Sequence, residues 1–184
     1  EFPELLKVAG DFWKNLSGKS KQEESPFLTA PGRNNFKRKD TEQVHLCLGA
    51  PGFHRRHPER YVMLVLDSIL GGSSSSRLFQ ELREERGMVY ATGSQYASFK
   101  DTGLFSIYAG TSPQYFSEVV QVIHNELVLL KEQMVSADEI RRAKEQIKGS
   151  LWLSLENTTN RMSRLAKSEL FYKELITPEE VIRR

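Results

Sequence analysis

Two runs that read as strands, MVYATGSQYASF (88–99) and LFSIYAGT (104–111), are separated only by KDTG, and this spacing constrains the fold more than any other feature. A connection so short, with Gly103 at the turn, can only join the runs as an antiparallel hairpin. A third run, EQVHLCLGAP, alternates Val44, Leu46, Leu48 and Ala50 against Gln43, His45, Cys47 and Gly49, the period of a strand. Cys47 is the single cysteine and cannot close an internal disulfide, so it is expected as a small buried hydrophobe in a reducing compartment.

Helical patterns fill the rest. HPERYVMLVLDSILGG (57–72) has Pro58 early and apolar residues nearly all round, which predicts a helix buried over most of its surface. A second helix is expected from about Ser76 to Arg86, its first N–H groups capped by hydroxyls of the preceding serines and its end set by Gly87 at C′. A third runs from Ser112 to Met134, with Pro113 at its start and Phe116, Val119, Val120, Ile123, Leu127 and Leu130 on one face. SADE (136–139) is a capping box opening a long helical stretch to about Lys173, broken near ENTTN (156–160). The order β-α-α-β-β-α-α predicts an α+β fold, a mainly antiparallel sheet with helices packed on one face.

The two ends carry further expectations. Leu5, Leu6, Ala9, Phe12, Trp13 and Leu16 recur at helical spacing, so residues 1–16 read as an amphipathic helix seeking a partner. Residues 17–41 are polar, charged and broken by Pro and Gly, a linker crossing a domain boundary, and 42–184 form the main domain. In LITPEEVIRR, Thr177 is placed as N-cap with Pro178 first in the helix and Glu180 third; the chain reads as a segment of a longer protein, cut inside this last element.

Composition excludes several classes of function. With 39% hydrophobic and 27% charged residues the 184-residue chain suits one soluble domain, and no apolar run approaches the length of a membrane span. A formal net charge of +2, with both signs interspersed, gives no footprint for nucleic acid, and GRNNFKRKD offers only Phe36 to stack a base.

Chemistry is sparse. His54 and His57 lie three apart beside Pro58, without a further Cys or His nearby, and read as a solvated loop more than as metal ligands. GGSSSSR lacks the Lys-Ser/Thr ending of a phosphate-binding loop, and no serine stands in a nucleophile elbow. The remaining candidates are Arg83 and Tyr90, seven apart across Gly87, whose guanidinium and phenol could both donate to a carbonyl oxygen. The competing reading pairs Arg83 with Glu81, Glu84 or Glu85 on a solvated helix face and leaves Tyr90 half-buried in the sheet.

SSSRLFQELREERGMVYATGSQYASFKDTGLFSIYAGT, with ENTTNRMSRLAKSELFYKELITPEEV downstream, resembles the C-terminal half of a pitrilysin/insulinase-type zinc metallopeptidase, in the branch similar to mitochondrial processing peptidase. The resemblance covers about residues 40–184, and residues before it look like the end of a preceding half. It implies two αβ-roll halves enclosing a chamber for unfolded peptides. Zinc would be bound by an inverted His-x-x-Glu-His motif in the N-terminal half, a motif that does not stand in this sequence. Arg83 and Tyr90 match the Arg-Tyr pair that the C-terminal half contributes, which implies substrate-backbone binding by both and an oxyanion donor role for Tyr90. Implied partners are the N-terminal half of the same protein, a peptide substrate, and a second subunit in a homodimer or heterodimer. The implied compartment is the bacterial cytoplasm or the mitochondrial matrix. The alternative is a zinc-free relative that binds peptides or supports assembly without cleaving them.

Overall fold

A computed structural model describes residues 2–14 and 41–183. Chain contacts divide the protein into two units, Glu1–Lys39 and Asp40–Arg184. In the first, α1 (Phe2–Lys14) is amphipathic, and Leu5, Leu6, Phe12 and Trp13 are all exposed. The proposed linker, but for Thr41, and Leu16 lie outside the described residues.

The second unit is built on a three-stranded antiparallel sheet in the order β1-β3-β2. The strands are β1 (Val44–Gly52), β2 (Val89–Ser98) and β3 (Gly103–Thr111), and the hairpin closes with Ser98 opposite Gly103. Phe105, Ile107 and Ala109 of β3 face the core, while Leu104, Ser106 and Tyr108 alternate onto the other face. β1 is an edge strand, and Cys47 is exposed on it, contrary to expectation: it sits opposite Tyr108, on the face away from the helices.

The helices are α2 (Arg60–Leu70), α3 (Arg77–Phe79, continuing as the π-wound Gln80–Glu85), α4 (Phe116–Glu132, entered through a 3-10 turn at Pro113–Tyr115), α5 (Ala137–Ser154), α6 (Thr158–Tyr172) and α7 (Pro178–Arg183). The core joins Leu70, Leu78 and Leu82 to Val119, Val122 and Ile123 over the inner face of the sheet. α2 is less buried than its sequence suggests: only Ile69 and Leu70 are fully inside, and Val62 is 63% exposed. Its end presses directly on β2, where a Cβ on Gly71 would stand 2.2 Å from the Ser94 amide nitrogen. Only a residue without a side chain permits that approach.

Capping follows the sequence in two helices, fails in one, and in a fourth is supplied by Asn157 at the break expected near ENTTN. Ser136 accepts from the Glu139 amide, Asn157 from those of Thr159 and Asn160, and Thr177 from that of Glu180. Before α3, however, the Ser76 hydroxyl donates to the Ser73 carbonyl at 2.6 Å instead of accepting from the helix. The serine run is thus a self-bonded turn, not a set of caps.

α3 is tied to its neighbours by charge. Arg77 grips Glu139 of α5 through Nε at 2.6 Å and Nη2 at 2.9 Å, and lies 3.5 Å from Glu126 of α4. The Arg77 hydrogen bonds hold the Glu139 carboxyl below its ordinary value, whereas burial pushes Glu126 up against the pull of the same arginine. A depressed carboxylate contributes stability that is present above its unfolded value of 4.5 and lost as pH falls through the folded value. Glu126, being raised, works in the opposite direction and gains on acidification. The contribution of Glu139 is therefore expected to fade below about pH 4.5, and Glu139→Gln to remove that part of the acid dependence while lowering stability at pH 7. Denaturant midpoints at pH 7 and pH 3.5 read this directly; an unchanged acid limb in the variant would remove Glu139 from the account.

Candidate functional site

Arg83 and Tyr90 stand on either side of the α3–β2 junction. Their sequence neighbours are the anchors: Leu82 is 0% and Val89 7% exposed, both in the core. Between them Gly87 takes φ +62°, and the Met88 amide closes on the Leu82 carbonyl at 2.9 Å. An α-helical C-terminal motif of this kind would return that amide to the carbonyl of residue 83. The π-wound turn of Gln80–Glu85 moves the closure one residue back. The Met88 carbonyl is held in turn by the buried Thr111 hydroxyl at 2.6 Å.

Tyr90 owes its orientation to an irregularity in the sheet. Val89 pairs with Thr111 and Ala91 with Gly110, so Tyr90 is an extra residue in β2, a bulge. A bulge re-aims a side chain, and Tyr90 is 60% exposed instead of half-buried. Arg83 is exposed on the π-wound turn, with its guanidinium 5.1 Å from the centre of the Phe79 ring. The expected pairing with acidic neighbours does not form: Glu81 goes to Arg86, which also reaches Glu118 at 3.5 Å. Among the described residues neither the Arg83 guanidinium nor the Tyr90 hydroxyl has an ion-pair or hydrogen-bond partner, and no bond joins the two to each other. Both donors are exposed on a base fixed by buried groups.

A Cβ on Gly87 meets nothing within 4 Å, so the only cost of Gly87→Ala is the left-handed backbone. Chemical denaturation should show a loss of about 1–2 kcal/mol, and Gly87→Asn a smaller one. Equal losses for Ala and Asn would mean that something other than φ decides the position.

No group of three or more His, Cys, Asp or Glu among the described residues is arranged to hold a metal ion. His54 and His57 are edge to face with ring centres 5.5 Å apart, and each accepts a backbone amide at Nδ1, from Arg56 and Glu59 respectively. No described helix is long and apolar enough to cross a membrane.

Sequence reasoning missed three features. The Arg77–Glu139–Glu126 cluster ties Arg77 to residues 49 and 62 positions further along, and no local pattern announces it. Asp67, pushed up by burial against the hydrogen bond of the Ser94 hydroxyl at 2.6 Å, is the single acidic residue in an apolar helix, with no pattern to mark its partner. The arginines of the 54–60 loop passed as solvated, although Arg55 and Arg56 both reach Phe171 of α6. Arginine stacking on a distant aromatic leaves no signal in sequence spacing.

Comparison with known proteins gives these features a context. The profile of the peptidase M16 inactive domain matches residues 3–147. An uncharacterized zinc protease of Bacillus subtilis, YmxG, is 42% identical over 146 residues, which is 79% of this chain and 36% of the relative. Another uncharacterized zinc protease, from Streptomyces coelicolor, is 42% identical over 157 residues, 85% of this chain and 34% of its own length. The chain thus spans about a third of the curated relatives it matches. Among solved structures, the peptidase M16 inactive domain of Pseudomonas fluorescens superposes with a TM-score of 0.70 at 23% identity, over 78% of this chain and 34% of that one. At that identity the likeness concerns the fold alone, which is the α+β arrangement of helices on an antiparallel sheet.

Proposed function

The chain belongs to the peptidase M16 inactive-domain family, and from that premise we propose that it is the substrate-clamping half of a zinc-dependent endopeptidase acting on unfolded peptides. Zinc would be held by residues outside this chain, in the N-terminal half of the same protein, and the described residues here offer no ligand set for it. This chain supplies hydrogen-bond donors. Arg83 takes carbonyl oxygens of an extended substrate, and Tyr90 donates to the oxygen that gathers charge as the peptide bond is attacked. The observation carrying this reading is that two donors seven residues apart are both exposed and uncommitted, on a turn pinned by Leu82, Val89 and Thr111. The proposed setting is the bacterial cytoplasm, in keeping with the bacterial relatives.

Arg83 binds the backbone in ground and transition states alike, so its loss acts on binding first. With the two halves reunited and an unstructured peptide as substrate, Arg83→Ala should raise KM at least as much as it lowers kcat. Arg83→Lys should rescue poorly, because an ammonium lacks the planar fork. A KM left at the wild-type value in Arg83→Ala would sink the clamp.

The matched domain is described as inactive, which fits this reading and equally a second one, in which the protein binds peptides or supports assembly without cleaving them. Peptide affinity that depends on Arg83, in an intact protein that shows no turnover with zinc supplied, would select it.

A further inference from the structure

At the opposite end of β2 from Tyr90 lies a cavity of about 500 Å³, walled by the 53–60 loop, α2, the Ser98 end of β2, and helices α5, α6 and α7. Arg55, Arg60, Arg164 and Lys167 line it, and no Asp or Glu is among the described residues that do. Each guanidinium is held without being neutralised. Arg55 donates to the Ser98 carbonyl at 3.1 Å and lies 3.7 Å over the Phe171 ring. Arg60 donates to the His57 carbonyl at 3.3 Å and the Tyr61 hydroxyl at 2.9 Å, and Arg164 to the Ile176 carbonyl at 2.9 Å. None of the four cations makes an ion pair with a described residue.

Like charges converging on one partly desolvated space repel, and carbonyl or ring contacts orient them without supplying negative charge. A guanidinium has five N–H donors, and the bonds above use one or two of each. The rest can grip an oxyanion edge-on, in two parallel hydrogen bonds. The aromatic wall, Phe171 and Tyr172, suits an organic frame, and the volume is that of a small-molecule site. We propose that this cavity binds a small organic oxyanion carrying two or more negative charges, held by Arg55, Arg60, Arg164 and Lys167. The site is separate from Arg83 and Tyr90 and stands whether or not the clamp does.

Calorimetric titration of the 184-residue chain with pyrophosphate and with citrate tests it, the two probes separating phosphoryl from carboxylate ligands. At least one should bind one to one with Kd below about 1 mM, more weakly as salt rises. Arg60→Gln and Arg164→Gln should each weaken that binding about tenfold. Lys167 is exposed, so Lys167→Met keeps the fold and should still weaken binding severalfold. The proposal is overturned if neither probe binds below about 1 mM, if binding is indifferent to Lys167→Met in a chain with an unchanged melt, or if only a hexaglutamate peptide binds.

Discussion

Tyr90→Phe, made in the intact two-half protein, is expected to lower kcat for an unstructured peptide by about 10² to 10³ with little change in KM. The substitution removes one hydroxyl and leaves the ring. That hydroxyl has no partner in the described structure and the side chain is 60% exposed, so stability has nothing to lose. A donor aimed at charge that develops only during reaction acts on turnover and not on ground-state binding. Arg83 differs because carbonyl oxygens are present in the substrate before and during reaction, which puts its effect in KM. If Tyr90 were an ordinary sheet residue, the Phe variant would be indistinguishable from wild type in both constants. A kcat within a few-fold of wild type, with an unchanged melting temperature, therefore refutes the oxyanion role without ambiguity from misfolding.

Local signals announced the elements well, and contacts between distant elements poorly. Gly103 and the four-residue connection located the hairpin, while Ser136 and Thr177 marked two helix starts where the structure has them accepting at the N-cap. The serine run failed because hydroxyls can bond their own turn as readily as a helix end, and Ser76 found the Ser73 carbonyl first. Cys47 looked buried because its neighbours are apolar, but a strand buries only one face and an edge strand less than that. At the candidate site the residue types and the turn at Gly87 were legible. The π-wound turn and the bulge at Tyr90, which decide where both side chains point, depend on how α3 and β2 meet the core and are written in no short motif. The cationic cavity was less legible still, since its arginines come from positions 55, 60 and 164.

Leu82→Ala is expected to destabilise the chain by about 2–5 kcal/mol, because it empties a fully enclosed side chain at the base of the candidate site. Leu82 is 0% exposed and packs in the cluster with Leu78, Val119 and Ile123, leaving no solvent to fill the space. For a chain of this size that corresponds to a fall of about 5–15 °C in melting temperature. The matched control lies on α4. A helical wheel of the sequence put Leu127 on the core face, whereas the structure turns the helix so that Val119, Val122, Ile123 and Glu126 face inward and Leu127 is 39% exposed. The rotation is stabilised by Arg77, which gives Glu126 a partner 3.5 Å away in a position where an unpaired carboxylate would be costly. Leu127→Ala should accordingly cost well under half of what Leu82→Ala costs, although the same atoms are deleted. Comparable losses at the two positions would mean that α4 presents the face read from its sequence, and Glu126 would then have to lie outside the core.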